Sequence, residues 1–196
     1  MKKTSFISAL SIGVLSISMA FASPADAVNQ VRENSVQVLK ILNSGDANTA
    51  RQKAEAYAIP YFDFQRMTAL AVGNPWRIAT DAQKQALTKE FQTLLIRTYS
   101  GTMLKFKNAK VNIKDNPVVN KGGKEIVVRA EINVSGQKPV NMDFTTYQSG
   151  NKYRAYNVAV EGASLVTVYR NQFGETIKAK GIDGLIADLK AKNGGK

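Results

Sequence analysis

The chain has 196 residues, with 44% apolar and 21% charged side chains, which suits one folded domain with a core of its own. It contains no His and no Cys, so Ser-His-Asp triads, thiol nucleophiles, imidazole or thiolate metal sites and disulfides are all excluded. Its 27 Lys+Arg against 15 Asp+Glu give a formal charge of +12, which favours acidic proteins, anionic membrane surfaces or nucleic acid as partners.

The N-terminus reads Met1-Lys2-Lys3, then an apolar run from Phe6 to about Ala22, then two small-x-small sites, Ala20-Phe21-Ala22 and Ala25-Asp26-Ala27. A basic start, a short apolar stretch and an A-x-A site predict a secretory signal peptide over residues 1–27, cut after Ala22 or Ala27. The alternative is an uncleaved anchor, but the apolar part is shorter than the ~20 residues a spanning helix needs. Residues 28–196 then form a single exported domain. Export removes routine contact with nucleic acid, and without disulfides the fold must rest on packing.

Helical spacing follows. Val28, Val31, Val38, Leu39 and Leu42 share one face, Gly45 ends that helix, and Asp46 caps a second from about Ala47 to Ala58. Pro60 opens an aromatic segment, Tyr61-Phe62-Asp63-Phe64, leading into an apolar run from Met67 to Val72 and a break at Gly73-Asn74-Pro75. Thr80, with Gln83 three residues on, begins the longest helix, whose face carries Leu87, Phe91, Leu94, Leu95, Met103 and Phe106.

After Asn108 the period changes to two. Val111 and Ile113 form one strand; Ile126, Val128, Ala130, Ile132 and Val134 share a face of the next. Val140, Met142 and Phe144 follow, then a hairpin signal at Ser149-Gly150-Asn151, then the row Tyr156, Val158 and Val160. Asn116-Pro117 and Lys121-Gly122-Gly123 read as turns. Past Gly162, Leu165, Tyr169, Phe173 and Ile177 are spaced as a helix, and a last short helix carries Ile182, Leu185, Ile186 and Leu189. The tail from Ala191 to Lys196 is expected to fray. The fold class is α+β: a twisted antiparallel sheet of about four strands wrapped by N- and C-terminal helices.

Signals for catalysis are weak. Asp63 in its aromatic segment and Glu161 beyond a strand are the carboxylates that burial could turn into acids. Lys121-Gly122-Gly123-Lys124 lacks the spacing of a phosphate loop, and Gly162-Ala163-Ser164-Leu165 is no nucleophile elbow. The aromatic and Met residues can fill a core or line a cavity, and spacing does not separate the two. A small enzyme acting on a hydrophobic substrate and a basic adaptor for an acidic partner both remain open.

Three blocks carry a resemblance. They are Phe62-Asp63-Phe64-Gln65-Arg66-Met67-Thr68 with Val72-Gly73 and Trp76-Arg77-Ile78-Ala79-Thr80; Phe91, Leu94, Leu95 and Arg97-Thr98-Tyr99; and Tyr156-Asn157-Val158, Glu161-Gly162 and Tyr169-Arg170-Asn171-Gln172-Phe173. In this order they resemble the MlaC, or toluene-tolerance, family of periplasmic phospholipid-binding proteins. The resemblance implies a carrier, not an enzyme, that encloses acyl tails in an apolar lipid cavity and maintains outer-membrane lipid asymmetry. Its implied partners are phospholipid, an outer-membrane lipoprotein–porin complex and an inner-membrane ABC transporter complex with an MCE-domain subunit. It implies a monomer with no metal or other cofactor, and bound glycerophospholipid as cargo.

On that resemblance, the expected lining is Val128, Ile132, Met142, Phe144, Val158 and Val160 from the strands. The helices add Leu95, Tyr99, Met103, Leu165, Tyr169 and Phe173. Arg66, Arg77, Arg97 and Arg170, in the recognisable blocks, are the candidates for contact with a head group or partner.

Overall fold

The computed structural model describes residues 23–195, so most of the expected signal peptide lies outside the described residues. Five α-helices and six strands, with short 3-10 turns between them, follow in the order α1 (Pro24–Leu42), α2 (Ala47–Ala58), α3 (Phe64–Val72), α4 (Asp81–Met103), β1 (Lys110–Ile113), β2 (Val118–Asn120), β3 (Glu125–Asn133), β4 (Val140–Ser149), β5 (Lys152–Val160), β6 (Ala163–Ser164) and α5 (Leu165–Gly194).

Side-chain caps set the helix starts. The Asp46 carboxylate accepts from the backbone N–H of Asn48 and Thr49, Asp63 accepts from Arg66, and Ser164 accepts from Thr167. Ser23 with Asp26, and Thr80 with Gln83, form complete capping boxes. α1 therefore starts earlier than its apolar periodicity suggests, at Pro24. The two C-terminal helices expected from the sequence are both present: α5 is broken at Gly181, where φ is 72° and ψ −175°, a non-helical conformation that glycine takes without strain. Through Gly195 the tail is held rather than frayed: Asn193 Nδ2 donates to the Glu90 carbonyl (2.9 Å) and Arg97 donates to the Gly195 carbonyl (2.7 Å).

The sheet runs β1-β3-β4-β5-β6, with β2 also pairing β3, and every ladder is antiparallel. The six strands exceed the expected four because β2 and β6 have only three and two residues, too few to leave a periodic trace. Val128 pairs with Phe144 and Phe144 with Val158; Ala130 pairs with Met142 and Met142 with Val160. Paired residues share a face, so these positions form one apolar stripe.

The register shifts between Thr145 and Thr146, where β5 carries one extra residue, Tyr156. This bulge corrects the expected row: Tyr156 turns away from Val158 and Val160 and meets Tyr147 on the opposite face, with ring centroids 5.9 Å apart.

Each face accordingly meets a different layer. α1 packs Ala27 and Val28 against Ile113, Ile126, Val128, Ala130 and Tyr153 on the first face. On the second, Tyr156 joins α3, α4 and α5 in a cluster centred on Phe91, which is fully buried edge-on to Tyr169 (4.9 Å) and Phe173 (5.1 Å). Truncating this ring leaves a cavity the cluster cannot close. Phe91→Ala is expected to cost ~3–5 kcal/mol, read as a lower urea midpoint with an unchanged m-value.

Candidate functional site

β4 lies inside the sheet, flanked by β3 and β5, a position where apolar side chains are normally covered. Yet Val140, Met142 and Phe144 on its inward row are only half-buried, as is Val160 beside Met142. The cluster under α1 is built on Ile113, Ile126, Val128 and Tyr153, and Met142 and Phe144 pack against its edge without being fully covered. The same half-burial recurs on other elements: Val38, Leu39 and Ile41 on α1, Met103 at the end of α4, Leu104 and Phe106 just beyond it, and Leu165 at the start of α5. Each large apolar side chain left half wet forgoes ~1 kcal/mol of burial. A chain carrying so many of them has surface that a hydrocarbon ligand can cover.

The sequence-derived lining is divided by the structure. Leu95, Tyr169 and Phe173 are buried in the helical cluster, with Tyr99 at its margin, 37% exposed. Burial, and then the neighbouring Tyr99, push the Tyr169 hydroxyl up to about 12. Val128, Met142 and Phe144 belong to the cluster under α1, while Ile132 and Val158 are buried in the ladder beside them. Val128 is fully buried, so it supports the surface rather than presenting it. The half-buried members are Met103, Met142, Phe144, Val160 and Leu165.

The four arginines serve four different parts of the fold. The Arg66 guanidinium sits over two tyrosine rings, 3.7 Å from the centroid of Tyr156 and 4.5 Å from that of Tyr147. Arg97 holds the C-terminal tail. Arg170 fills the space above Gly73, where a Cβ would come within 3.3 Å of its guanidinium. Arg77 is exposed in the turn beside Ile78, which is 84% exposed.

Sequence periodicity did not reveal the polar network around Arg66, because its members join only through the bulge. Tyr147 donates to Asp63, and Arg154 lies 3.9 Å from the same carboxylate oxygen and donates to the Phe62 carbonyl. Tyr156 donates to Glu125, which also accepts from Lys121 (2.6 Å) and Asn120 (3.1 Å). Asp63 is thus a helix cap and a bolt between α3 and the sheet. Glu161, the other candidate acid, is exposed in a turn at φ 49° and accepts from the Asn141 N–H. Both carboxylates are occupied in holding backbone.

A polar groove of about 410 Å³ runs between α1 and the β4–β5 hairpin, lined by Asp26, Asn29, Gln30, Glu33, Gln148 and Lys152 among others. Gln30 bridges it, bonding the Tyr153 carbonyl (2.7 Å) and N–H (2.8 Å). Among the described residues no helix is long and apolar enough to cross a membrane, and no three acidic side chains are grouped to hold a metal.

The model of the family described as "MlaC protein" matches residues 32–191. Toluene tolerance protein ttg2D of Pseudomonas putida is 23% identical over 107 residues, 55% of this chain and 49% of that one. The match therefore spans about half the length of that relative. A solved structure of the phospholipid-binding protein from Ralstonia solanacearum, in complex with a phospholipid, is 32% identical. It superposes with a TM-score of 0.74, covering 86% of this chain and 97% of that one.

The Glu125 network makes stability depend on pH. Burial pushes the Glu125 carboxyl up, but hydrogen bonds from Lys121, Tyr156 and Asn120 outweigh it and hold it below the ordinary 4.5. A lowered carboxylate contributes stability that is complete above its unfolded value and lost as pH falls through the folded one. The urea midpoint should drop on acidification below about pH 4.5. Glu125→Gln should cost ~1–3 kcal/mol at neutral pH and flatten that acid drop; a drop of unchanged size would assign it to other carboxylates.

Proposed function

The chain belongs to the MlaC family, and on that footing we propose that it is a periplasmic carrier of glycerophospholipids. It is exported by its N-terminal leader and shuttles lipid, as a monomer, between an outer-membrane lipoprotein–porin complex and an inner-membrane ABC transporter complex with an MCE-domain subunit. It catalyses no reaction, and it maintains the lipid asymmetry of the outer membrane. The cargo is held by its acyl tails against the half-buried apolar residues, with the head group toward water.

One observation carries the reading: the stripe through Met142, Phe144 and Val160 in the middle of the sheet is apolar and left half-uncovered by the protein's own helices. The phospholipid held by the Ralstonia solanacearum protein supports it, since that chain is matched over 97% of its length. Two acyl tails carry roughly 30 methylenes at ~0.8 kcal/mol each, or about 24 kcal/mol taken out of water. A carrier must offer a comparable apolar surface without exceeding the membrane's own hold, or it would never release its load. Val, Leu, Met and Phe meet that condition, because they grip any tail without polar selectivity.

Placing a charge at the wet positions tests this without attacking the buried core. Met142→Lys and Phe144→Glu should leave a cooperatively folded protein whose co-purifying phospholipid falls by a factor of ten or more. The same change at Val128 is uninformative, because that side chain is fully buried under α1. Full lipid content in both folded variants would contradict the proposed surface.

A further inference from the structure

Two sites in the sequence suit removal of the leader, after Ala22 and after Ala27, and the fold treats them very differently. Ala27 is 0% exposed and Val28 2%, both packed against Ile113, Ile126, Val128 and Tyr153. The bond between them lies within the first turns of α1, so a cut there would remove residues that belong to the folded helix. Ser23, by contrast, sits outside the helix with extended backbone (φ −83°, ψ 157°) and is exposed.

What precedes Ala27 is also structural. The Ser23 hydroxyl accepts from the Asp26 N–H (3.3 Å) and the Asp26 carboxylate accepts from the Ser23 N–H (2.7 Å). Pro24 opens the helix with φ already set, and the Ser23 carbonyl accepts from the Tyr153 hydroxyl (3.0 Å), tying the start of α1 to β5. Cutting after Ala27 would delete the cap, the proline, the acidic residue of the first turn and a core methyl together.

We propose that the leader is hydrolysed between Ala22 and Ser23, and that Ser23 is the first residue of the mature protein. The inference rests on the export reading above. Water adds across the Ala22–Ser23 amide in the active site of a leader peptidase; the C–N bond breaks, Ala22 departs as a carboxylate and the Ser23 nitrogen becomes an ammonium. No electron changes hands. A bare ammonium at a helix N-terminus opposes the helix dipole, but here the Asp26 carboxylate already sits at hydrogen-bond distance from that nitrogen. The bond that is neutral–ionic in the precursor becomes a fully charged pair, so processing strengthens the start of α1.

The test is the intact mass of the protein recovered from the periplasm of a two-membrane bacterium expressing the full chain. A mass beginning at Ser23 is expected, and one beginning at Val28 overturns the proposal. A chain that stays uncut and never reaches the periplasm contradicts the export reading itself. A second measurement compares chains begun at Ser23 and at Val28: the shorter one should melt about 5–10 °C lower, having lost its cap and its anchor to β5. Equal melting temperatures would remove the structural argument for the Ser23 start.

Discussion

A single inserted residue organises this molecule. By placing Tyr156 opposite no partner of its own, β5 sends Val158 and Val160 to one face of the sheet and Tyr156 to the other. The sheet can then serve two layers at once. One face keeps its apolar stripe and receives α1; the other receives a tyrosine that anchors the helical cluster and the Arg66 network. Without the bulge, Tyr156 would fall in the stripe and the helices would lose their main attachment to β5.

That arrangement also explains how a chain with no disulfide can leave apolar surface incompletely covered. Stability is carried by Phe91 and its neighbours in the helical cluster and by Ile126 and Val128 under α1. The two are joined by charge-assisted bonds from Asp63, Arg154, Glu125 and Lys121, placed on the face away from the stripe. Met142 and Phe144 lie at the edge of the α1 cluster and are only half-buried, which in the carrier reading leaves them open to a ligand. In the carrier reading this separation is the working principle, since a protein that needed those side chains packed would expel its cargo.

Much of this was legible in the sequence because it is local. The caps at Asp46, Thr80 and Ser164 bond to N–H groups two or three residues away, and α2 occupies the span its cap and spacing predict. The alternation in β3 and β4 likewise reports their faces directly. What escaped depends on long-range geometry. A bulge changes no residue type, so Tyr156 reads as one more inward position. Half-burial at Met142 reflects how the helices are laid across the sheet, which no periodicity encodes. Arg97 and Arg170 share a motif-like setting with Arg66 but meet the tail and Gly73, partners separated from them by 98 and 97 positions. The tail looked idle because its residues are polar, yet Asn193 bonds to α4.

The central claim is that the chain moves phospholipid through water. It is tested most directly by donor and acceptor vesicles held on opposite sides of a membrane that passes protein but not vesicles, with isotope-labelled phospholipid in the donor. A lipid carrier gives transfer whose rate rises in proportion to added protein. Transfer no faster than in buffer alone, from protein that remains folded throughout, would contradict it.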